Sequence, residues 1–444
     1  MAVRKAPPGS RPEPNSETFQ LQLSSGNGPV YRTVLRTPPR DATPEEIPII
    51  DISGIFSASL DDRKAVARQM HAAATSNGFF YIRNHGVPGA VTDAAHDACL
   101  AFFRQPQDVK NLANAAQSAY FNGYKPPRTQ RINPSESVDN RESFSWTYDP
   151  RSDPAVPSLE SVPPRVRAYL RIEPDPDVTG GGSPGAGGED APHHSRFPWA
   201  QTKTVPQFAP AVFAYWRSCL VLSRALVRSF ALSLGLDETF FDSKVTHPGA
   251  ALALNYYPPL PPTPPQSPER FQASSPASSP SPSPPPQGRP QQEQEQEQEQ
   301  KEQKEQVSIG SHTDFQLFTI LCQDTVPGLQ VLSREGQWLN APPIPGTFVV
   351  NIADYMQRIT NDMYVSTVHR AINNGGGASA RERVSMPFFF GFNMDESCAV
   401  LDSCVAATGG GAAKYDEVSC YEWVQRRVKA MHDTREEASR GGDD

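Results

Sequence analysis

Two histidines and one aspartate are the residues whose types and spacing could bind a metal ion. His312 and Asp314 lie two positions apart in "SHTDFQLFTILC", and His369 follows in "VSTVHRAI". Side chains two positions apart on a strand share a face, so His312 and Asp314 are expected to point the same way. Two histidines and one carboxylate are the ligand set of the facial triad, which binds Fe(II) and leaves positions open for substrate and oxygen.

The same three side chains are compatible with other interpretations. His312 and Asp314 could form an ordinary polar strand edge, and His369 alone could be a core histidine. Two histidines and a carboxylate also bind zinc. A zinc hydrolase is less favoured, because the sequence contains no HExxH and no obvious general base beside the three residues.

An arginine and a serine on a later apolar strand form a second polar group. In "RERVSMPFFFGF", Arg383 and Ser385 alternate onto one face. A buried arginine is costly unless it meets an anion, and its planar guanidinium suits bidentate binding of a carboxylate. Arg381 could point the same way and is the competing candidate. The alternative is an arginine at a water-facing sheet edge, which the apolar flanking residues disfavour.

Asn255 and Tyr257 in "LNYYPP" are again two positions apart, so a strand would place both side chains on one face. The phenol of Tyr257 could reach the same carboxylate that Arg383 binds. A tyrosine ring packed in the core, with its hydroxyl at the surface, explains the residue almost equally well on local grounds.

The first half of the chain is predicted to alternate strands and helices. "IPIIDIS" and "FFYIRNH" have the composition of buried strands, and residues 59–78 between them carry a helical apolar stripe. Ser59 is the expected N-cap of this helix, and Gly78 is its expected end. Residues 208–235 are predicted to form a long apolar-rich helix that ends at a glycine.

The second half switches to short strands separated by turns. "REGQ" predicts a hairpin turn between two of them. Many short strands after a helical half predict an α+β fold whose core is an antiparallel sandwich or jelly roll. The predicted strands are "ALALNYY", "LFTILC", "LQVLS", "GTFVVNI", "STVHRAI" and "RVSMPFFFGF".

Low-complexity stretches divide the chain. The longest is rich in Pro, Gln and Glu, a composition that cannot bury enough apolar surface to fold. The predicted organisation is a disordered N-terminal arm (1–45), an N-terminal region (46–172), a low-complexity insert (173–196), a long helix with the first core strand (197–257), a disordered insert (258–306), the catalytic jelly-roll core with a C-terminal helix (307–432) and a tail (433–444).

The net charge and the cysteines limit the partners and the cellular compartment that can be expected for the protein. The formal net charge is −8, and residues 291–306, with six Glu and two Lys, hold half of it. The rest of the chain shows no basic stripe for nucleic acid. The six cysteines form no CxxC pair, which favours a reducing intracellular compartment. We expect neither a secretory signal nor a membrane span, because no apolar run is long enough.

Several ordered motifs resemble those of one enzyme family. "NYYPP", "SHTDFQLFTILCQDTVPGLQVL", "PGTFVVNIADYMQRITNDMYVSTVHRAI" and "RERVSMPFFFGF" are similar to motifs of the iron(II)- and 2-oxoglutarate-dependent dioxygenases of the isopenicillin N synthase-like group. "IPIIDIS" and "GFFYIRNHGVP" resemble the N-terminal region of that group. The resemblance extends from about Ile47 to about Trp423 and is interrupted by the two inserts. It implies a double-stranded β-helix, or jelly roll, backed by helices.

The resemblance also implies roles for matching residues and a reaction. The implied reaction uses Fe(II), 2-oxoglutarate and O2, hydroxylates or desaturates a small organic substrate, and releases succinate and CO2. We expect this substrate to be a secondary metabolite. The matching residues are His312, Asp314 and His369 as iron ligands, Arg383 and Ser385 on the distal carboxylate of 2-oxoglutarate, and Tyr257 and Asn255 near this co-substrate.

The segment "DNRESFSW" lies where members of the family contribute loops near the substrate entrance. Arg141, Glu142 and Phe144 are therefore candidates for contact with a ligand. Salt-bridged surface positions are the favoured interpretation, so no role is assigned to them.

Two other functions stay open at this point. Isopenicillin N synthase keeps the three iron ligands and an RxS pair without using a 2-oxo acid, so an iron oxidase of that type is compatible with the motifs. A catalytically silent jelly-roll protein could act through residues 258–306 as an interaction arm for a Pro-recognising domain. The intact metal and arginine motifs favour an enzyme. We expect a cytoplasmic monomer that binds a small molecule and has no nucleic-acid or membrane partner.

Overall fold

The computed structural model describes residues 17–28, 30–118, 122–133, 135–170, 197–259, 307–372 and 381–440. The predicted insert 173–196 lies outside these residues. The predicted insert 258–306 also lies outside them, apart from Pro258 and Pro259.

Strands dominate the second half of the chain and also occur in the first. They are β1 (Thr18–Leu23), β2 (Val30–Leu35), β3 (Arg40–Asp41), β4 (Ile49–Asp51), β5 (Phe79–Arg83), β6 (Gly123–Lys125), β7 (Glu142–Thr147), β8 (Ala251–Tyr257), β9 (Ile309–His312), β10 (Phe318–Gln323), β11 (Leu329–Leu332), β12 (Trp338–Asn340), β13 (Thr347–Ile352), β14 (His369–Ala371) and β15 (Arg383–Phe390).

Helices lie mainly outside the strand-rich core. The α-helices are α1 (Leu60–Ser76), α2 (Gly89–Phe103), α3 (Gln107–Asn111), α4 (Pro164–Tyr169), α5 (Phe208–Ser233), α6 (Asp354–Ile359), α7 (Asp402–Ala407) and α8 (Cys420–Arg440). Short 3-10 helices span Ser53–Phe56, Ala115–Gln117, Pro150–Ser152, Leu159–Ser161, Trp199–Thr202 and Asp242–Val245. Among the described residues, no helix combines the length and the apolar character needed to cross a lipid bilayer.

Two sheets form the core. In the larger sheet, eight strands are hydrogen-bonded in the order β4-β5-β13-β10-β15-β8-β7-β6, and the smaller sheet has five strands in the order β3-β12-β11-β14-β9. Neighbouring strands are antiparallel except in the pairs β4/β5 and β3/β12. The two sheets with helices outside them confirm the predicted α+β fold with a jelly-roll core.

Alternation along β15 separates the hydrophobic core from the interior of the jelly roll. Phe388 and Phe390 are fully buried in the main hydrophobic cluster, and Trp216 of α5 meets Phe388 with ring centroids 5.0 Å apart. Arg383 and Phe389, on the opposite face of the same strand, line a cavity. The long helix α5 therefore backs the sheet whose inner face carries the polar residues.

The helix α1 begins and ends as the sequence predicts. The Ser59 hydroxyl accepts a hydrogen bond from the backbone N–H of Asp62 at 3.4 Å. After the helix, Gly78 has a φ of +71°, and a Cβ there would lie 1.9 Å from the carbonyl oxygen of Val365. Glycine is thus required both by the conformation and by the close approach of the chain that leads to His369.

The prediction of a disordered arm over residues 1–45 is wrong from position 18 onward. β1 and β2 form an antiparallel pair, and Leu21, Leu23 and Val34 are buried against Trp338. Apolar residues alternate in "TFQLQL", a period-two pattern that is typical of a strand. The prediction of disorder rested instead on the polar composition of the whole arm. Residues 1–16 lie outside the described residues.

The predicted tail, 433–444, is also wrong in part. Helix α8 continues to Arg440, because the segment contains strong helix formers and neither Gly nor Pro before that position. Residues 441–444 lie outside the described residues.

We predict that Gly78→Ala lowers the free energy of unfolding by about 2–5 kcal/mol, since left-handed strain and overpacking against Val365 add. Gly235 is the matched control, because it follows α5 with a φ of +73° and no atom lies within 4 Å of a Cβ built there. Gly235→Ala should lower the free energy of unfolding only by the cost of the left-handed backbone conformation, about 1–2 kcal/mol. Denaturant unfolding measures the free energy of unfolding of both variants. An equal decrease in the two variants would show that the contact with Val365 adds nothing to the requirement for glycine at position 78.

Candidate active site

The jelly roll brings the three predicted metal ligands together. His312 is the last residue of β9, His369 is the first residue of β14, and these two positions are paired across the strands. Asp314 lies beyond the end of β9, so the prediction that it shares a strand face with His312 is wrong. Its backbone is fixed instead by a hydrogen bond of 3.0 Å from the N–H of Asp354 to its carbonyl oxygen.

The side-chain atoms of the three residues converge. Nε2 of His312 and Nε2 of His369 lie 3.7 Å and 3.8 Å from Oδ1 of Asp314. One ligand atom from each of the three residues lies within 4.8 Å of the others, and the described part of the chain holds no other such group. These separations are too long for direct hydrogen bonds and leave space for an ion between the atoms.

Both imidazoles are oriented by backbone carbonyl groups. Nδ1 of His312 lies 2.7 Å from the oxygen of Gly310, and Nδ1 of His369 lies 3.1 Å from the oxygen of Thr367. A carbonyl oxygen can only accept, so Nδ1 is the donor in each ring, and Nε2 is the nitrogen left to face Asp314. This orientation through the second ring nitrogen is usual for histidines that bind metals.

The carboxylate of Asp314 is oriented in the same manner. Its Oδ2 accepts hydrogen bonds from the Thr319 hydroxyl at 2.5 Å and from the Asn351 amide at 2.8 Å. Oδ1 is left facing the two imidazoles. Nε2 of each histidine and Oδ1 of Asp314 therefore face one another, an arrangement that suits a cation. The two histidines and one carboxylate fit Fe(II), and the same atoms could also hold zinc.

The protonation states suit a metal. Burial and repulsion from His369 lower the pKa of His312, so its imidazole is neutral at pH 7. Burial raises the pKa of Asp314, but the two histidines and the hydrogen bonds from Asn351 and Thr319 outweigh it, and the net shift is downward. A neutral imidazole and an ionised carboxylate are the forms that bind metal ions.

Two cavities meet at these residues. A cavity of about 240 Å³ and a larger one of about 870 Å³ are both lined by His312, Asp314, Thr319 and Phe389. An ion bound to the three ligands would therefore be open to both cavities. One cavity could hold a co-substrate and the other a substrate.

Arg383 lies in the wall of the smaller cavity. Its residue is only 3% exposed, its Nε donates to the carbonyl oxygen of Val326 at 3.0 Å, and its Nη2 donates to Oε1 of Gln323 at 3.2 Å. The guanidinium lies over the Tyr257 ring, 4.7 Å from its centroid. Among the described residues, no carboxylate forms an ion pair with it, so its charge is available to an anion in the cavity.

The other predicted residues surround the same cavity. Ser385 Oγ lies 3.1 Å from the Tyr257 hydroxyl and accepts a hydrogen bond of 3.4 Å from the Asn255 amide. Arg383 is paired with Tyr257, and Ser385 with Asn255, across β15 and β8. The strand register thus brings four predicted residues to one end of the cavity.

The competing arginine lies elsewhere. Arg381 is exposed and lines a separate cavity with Glu382 and Val384, residues that do not line the smaller cavity described above. Arg383 is therefore the arginine that faces the metal ligands.

The segment around Arg141 differs from its favoured interpretation as an exposed salt-bridged stretch. Arg141 lines the smaller cavity. Glu142 is buried and accepts hydrogen bonds from the Lys110 ammonium and the Tyr124 hydroxyl, each 2.5 Å long. Phe144 belongs to the main hydrophobic cluster. Of these, Arg141 is the one placed to contact a ligand.

The walls of the larger cavity combine aromatic side chains with polar and charged ones. The aromatic residues are Trp146, Tyr148, Tyr169, Phe197, Phe315, Phe318 and Phe389. The polar and charged residues include Asn122, Asp149, Arg151, His247, Gln316 and Arg427. Such a space suits an organic molecule that has both apolar surface and polar groups.

The C-terminal helix holds the backbone on both sides of Asp314. Nε1 of Trp423 donates to the carbonyl oxygen of Phe315 at 2.9 Å, and Nη2 of Arg427 donates to that of Thr313 at 3.2 Å. Nε of Arg427 also lies 2.9 Å from a carboxylate oxygen of Asp354. These supporting residues could not be found from motif spacing, because α8 lies far from the metal ligands in the sequence.

Comparisons with known families agree with this geometry. Residues 248–392 match the family described as the 2OG-Fe(II) oxygenase superfamily. Residues 47–164 match the family described as the non-haem dioxygenase in morphine synthesis N-terminal region. Together the two matches cover more than half of the chain.

Two curated relatives are similar over nearly the whole chain. The 2-oxoglutarate-Fe(II) type oxidoreductase ppzC of Metarhizium majus (strain ARSEF 297) is 49% identical, over 94% of this chain and 96% of the relative. The protein of the same description from Metarhizium rileyi (strain RCEF 4871) is 48% identical over the same shares.

A solved structure shows the same architecture. The crystal structure of a 2OG-Fe(II) oxygenase family protein from Caulobacter crescentus matches with a TM-score of 0.60 and 24% identity. The match covers 86% of this chain and 98% of that chain. At this level of identity the likeness is one of fold alone.

We predict that Arg427→Met weakens Fe(II) binding by about tenfold or more, as loss of outer-shell partners of metal ligands does. Arg426→Met is the matched control, since Arg426 lies on the same helix and pairs only with the exposed Glu422 among described carboxylates. Anaerobic Fe(II) titration measures both affinities, and thermal unfolding reports whether the fold persists. Equal affinities in the two variants would contradict a role for α8 in positioning Asp314.

Proposed function

The chain belongs to the iron(II)- and 2-oxoglutarate-dependent oxygenases, and from this premise we propose that His312, Asp314 and His369 bind the iron. As a member of this family, the enzyme uses Fe(II), 2-oxoglutarate and O2 to oxidise a small organic substrate, with release of succinate and CO2. The observation that carries the assignment is the convergence of one ligand atom from each of these residues within 4.8 Å, with both imidazoles oriented by backbone carbonyl groups.

We propose further that Arg383 and Ser385 bind the distal carboxylate of 2-oxoglutarate. The guanidinium belongs to a residue only 3% exposed and forms no ion pair with a described carboxylate, although Asp324 attracts it from farther away. It can therefore take an anion from the cavity as a direct partner, and Ser385 supplies a neighbouring hydroxyl. Tyr257 lies under the guanidinium and hydrogen-bonds to Ser385, while Asn255 contacts Ser385 as its direct partner across the two strands. These two residues orient the carboxylate-binding pair.

The remaining contribution of the protein is orientation and exclusion of water. Bound Fe(II) and 2-oxoglutarate supply the activation of O2, and the side chains determine what lies beside them. Phe389 and Ile132 line both cavities and shield the space between them from solvent. The larger cavity holds the substrate so that one of its C–H bonds faces the iron site.

The substrate is proposed to be a secondary metabolite that is hydroxylated or desaturated. The aromatic walls and the volume of about 870 Å³ support a small organic molecule rather than a polymer. An oxidase that uses no 2-oxo acid and a silent interaction protein are not favoured, because the chain matches the 2OG-Fe(II) oxygenase family and its relatives are described as 2-oxoglutarate-Fe(II) oxidoreductases. We also propose a monomer in the cytoplasm without nucleic-acid partners, supported by the six free cysteines and the net charge of −8.

The first prediction of this assignment concerns iron and co-substrate together. Anaerobic addition of Fe(II) and then 2-oxoglutarate to the purified protein should produce a weak visible charge-transfer band only when both are present. His312→Ala should abolish the band and iron-dependent turnover, because it removes one of three ligands. His96→Ala, outside both cavities that meet at the metal ligands, should retain them. Iron binding without a band would support the oxidase instead.

The second prediction separates the two arginines. Arg383→Met should raise the 2-oxoglutarate concentration needed for the band by at least about 30-fold, since a buried charge-assisted contact contributes about 2–5 kcal/mol. Fe(II) affinity should change little. Arg381→Met is the matched control and should leave the requirement unchanged. A larger effect at Arg381 than at Arg383 would transfer the role to the exposed arginine and contradict the cavity assignment.

A further inference from the structure

The inner face of the larger sheet carries a row of polar residues that extends beyond the proposed co-substrate contacts. Ser385 is paired with Asn255, Asn255 with Ser143, and Ser143 with Lys125. The row therefore continues across β15, β8, β7 and β6. All four side chains line the smaller cavity, and the last of them, Lys125, is cationic.

Arg141 lies beside this row, two residues before Ser143. Its side chain is 10% exposed, and Nη1 donates to Oδ1 of Asn255. Nε lies 3.7 Å from Oδ2 of Asp139, too far for a hydrogen bond, and both atoms are buried without a hydrogen-bond partner. Arg141 thus retains unused hydrogen-bonding capacity next to the cavity.

Lys125 has no counter-ion among the described residues. It is half-buried in the cavity wall, and no hydrogen bond or ion pair joins its ammonium to a described side chain. Burial, and to a smaller extent the charge of Arg141, lowers the pKa of Lys125 to about 8. A bound anion would stabilise the ammonium in this position.

Counting the charges around the cavity leaves Lys125 unbalanced. Arg370 is attracted to Glu136, Arg141 to Asp139 and Arg383 to Asp324. Among these cations of the cavity wall, Lys125 is the one that no described acidic group attracts. A carboxylate bound beside it would offset the cost of burying its charge.

We propose that Lys125 and Arg141 bind a carboxylate of the substrate, so the enzyme oxidises a carboxylic acid. This inference rests on the proposed function, since it takes the two carboxylates of 2-oxoglutarate to be bound at Arg383 and at Fe(II). A carboxylate can accept charge-assisted hydrogen bonds from both a guanidinium and an ammonium group.

The arrangement of the cavities indicates where the rest of the acid lies. Ile132, His312 and Phe389 line both the smaller and the larger cavity. A substrate anchored at Lys125 would extend past these residues, beside the metal ligands, into the space with aromatic walls. The anchor would then determine which carbon faces the iron site.

The carboxylate of 2-oxoglutarate that lies nearer the metal is the other carboxylate that Lys125 could bind. It differs from a substrate carboxylate in one measurable respect. If Lys125 bound the co-substrate, its loss would weaken the Fe(II)–2-oxoglutarate band with no other ligand present. If Lys125 binds the substrate, the band forms normally and only the response to an added acid changes.

The experiment uses the purified full chain with Fe(II) and 2-oxoglutarate under anaerobic conditions. The probes are acetate, phenylacetate and indole-3-acetate, each compared with its primary amide, which has nearly the same shape and no charge. Their binding is followed as a perturbation of the charge-transfer band. Wild-type protein should bind at least one acid at least tenfold more tightly than the matching amide.

Lys125→Met should remove this preference for the acid over the amide, and Lys125→Arg should retain it. Arg128→Met, an exposed position three residues farther along, is the matched control and should behave as wild type. Lys125 is a cleaner target than Arg141, whose removal would leave the buried Asp139 unpaired. Circular dichroism and thermal unfolding show whether each variant is folded.

Three results would overturn the proposal. They are equal binding of acids and amides by the wild type, no binding of any acid, and at least tenfold weaker 2-oxoglutarate binding by Lys125→Met without added acid. Absence of the band in the wild type would instead refute the proposed function itself. The two failures are therefore distinguishable in the same titration.

Discussion

The site depends on holding two imidazoles and one carboxylate so that one ligand atom of each faces the same point. Nε2 of His312 and His369 and Oδ1 of Asp314 are too far apart to hydrogen-bond to one another, so each group must be held in place by other partners. Backbone carbonyl groups accept the Nδ1–H of His312 and His369, and Thr319 and Asn351 saturate the other oxygen of Asp314. The pairing of β9 with β14 and of β10 with β13 places these supports, which explains why the ligands lie at strand ends inside a jelly roll.

A second constraint is the burial of cationic side chains in the smaller cavity. The same strand, β15, packs Phe388 against α5 on one face and presents Arg383 on the other, so the apolar packing helps to fix the arginine. Gly328 leaves room for it, since a Cβ there would lie 3.0 Å from Nε. The desolvation of this guanidinium is offset by hydrogen bonds to neutral groups, by the Tyr257 ring, by the attraction of Asp324 and, in the proposed complex, by an anionic ligand. The cavity is therefore arranged for an anion before one binds.

The residues closest to the chemistry could be predicted from the sequence, whereas those that support them could not. The HxD pair, the later histidine and the RxS pair are local patterns, and the strands around them have clear periodicity. Lys125 could not be found, because β6 is short and its side chain acquires its direction only by pairing with β7. Arg141 was recognised as a candidate, but its burial depends on the register with β8. Local spacing also predicts Asp314 on a strand, whereas the residue lies in the loop after β9, where a backbone hydrogen bond from α6 holds it.

The larger cavity is built differently from the metal site, and this difference bears on specificity. Its walls combine residues from distant parts of the chain, including Ser24 near the N-terminal hairpin, Tyr169 of α4 and Arg427 of α8. Arg427 donates to the carbonyl oxygens of both Ser24 and Thr313, so one buried side chain joins the first hairpin and the last helix to the loop that carries Asp314. Changes in these outer segments can reshape the larger cavity while the strand pairs around His312 and His369 stay intact. The shape of the larger cavity can therefore vary more freely than the iron site and the polar row of the larger sheet beside it.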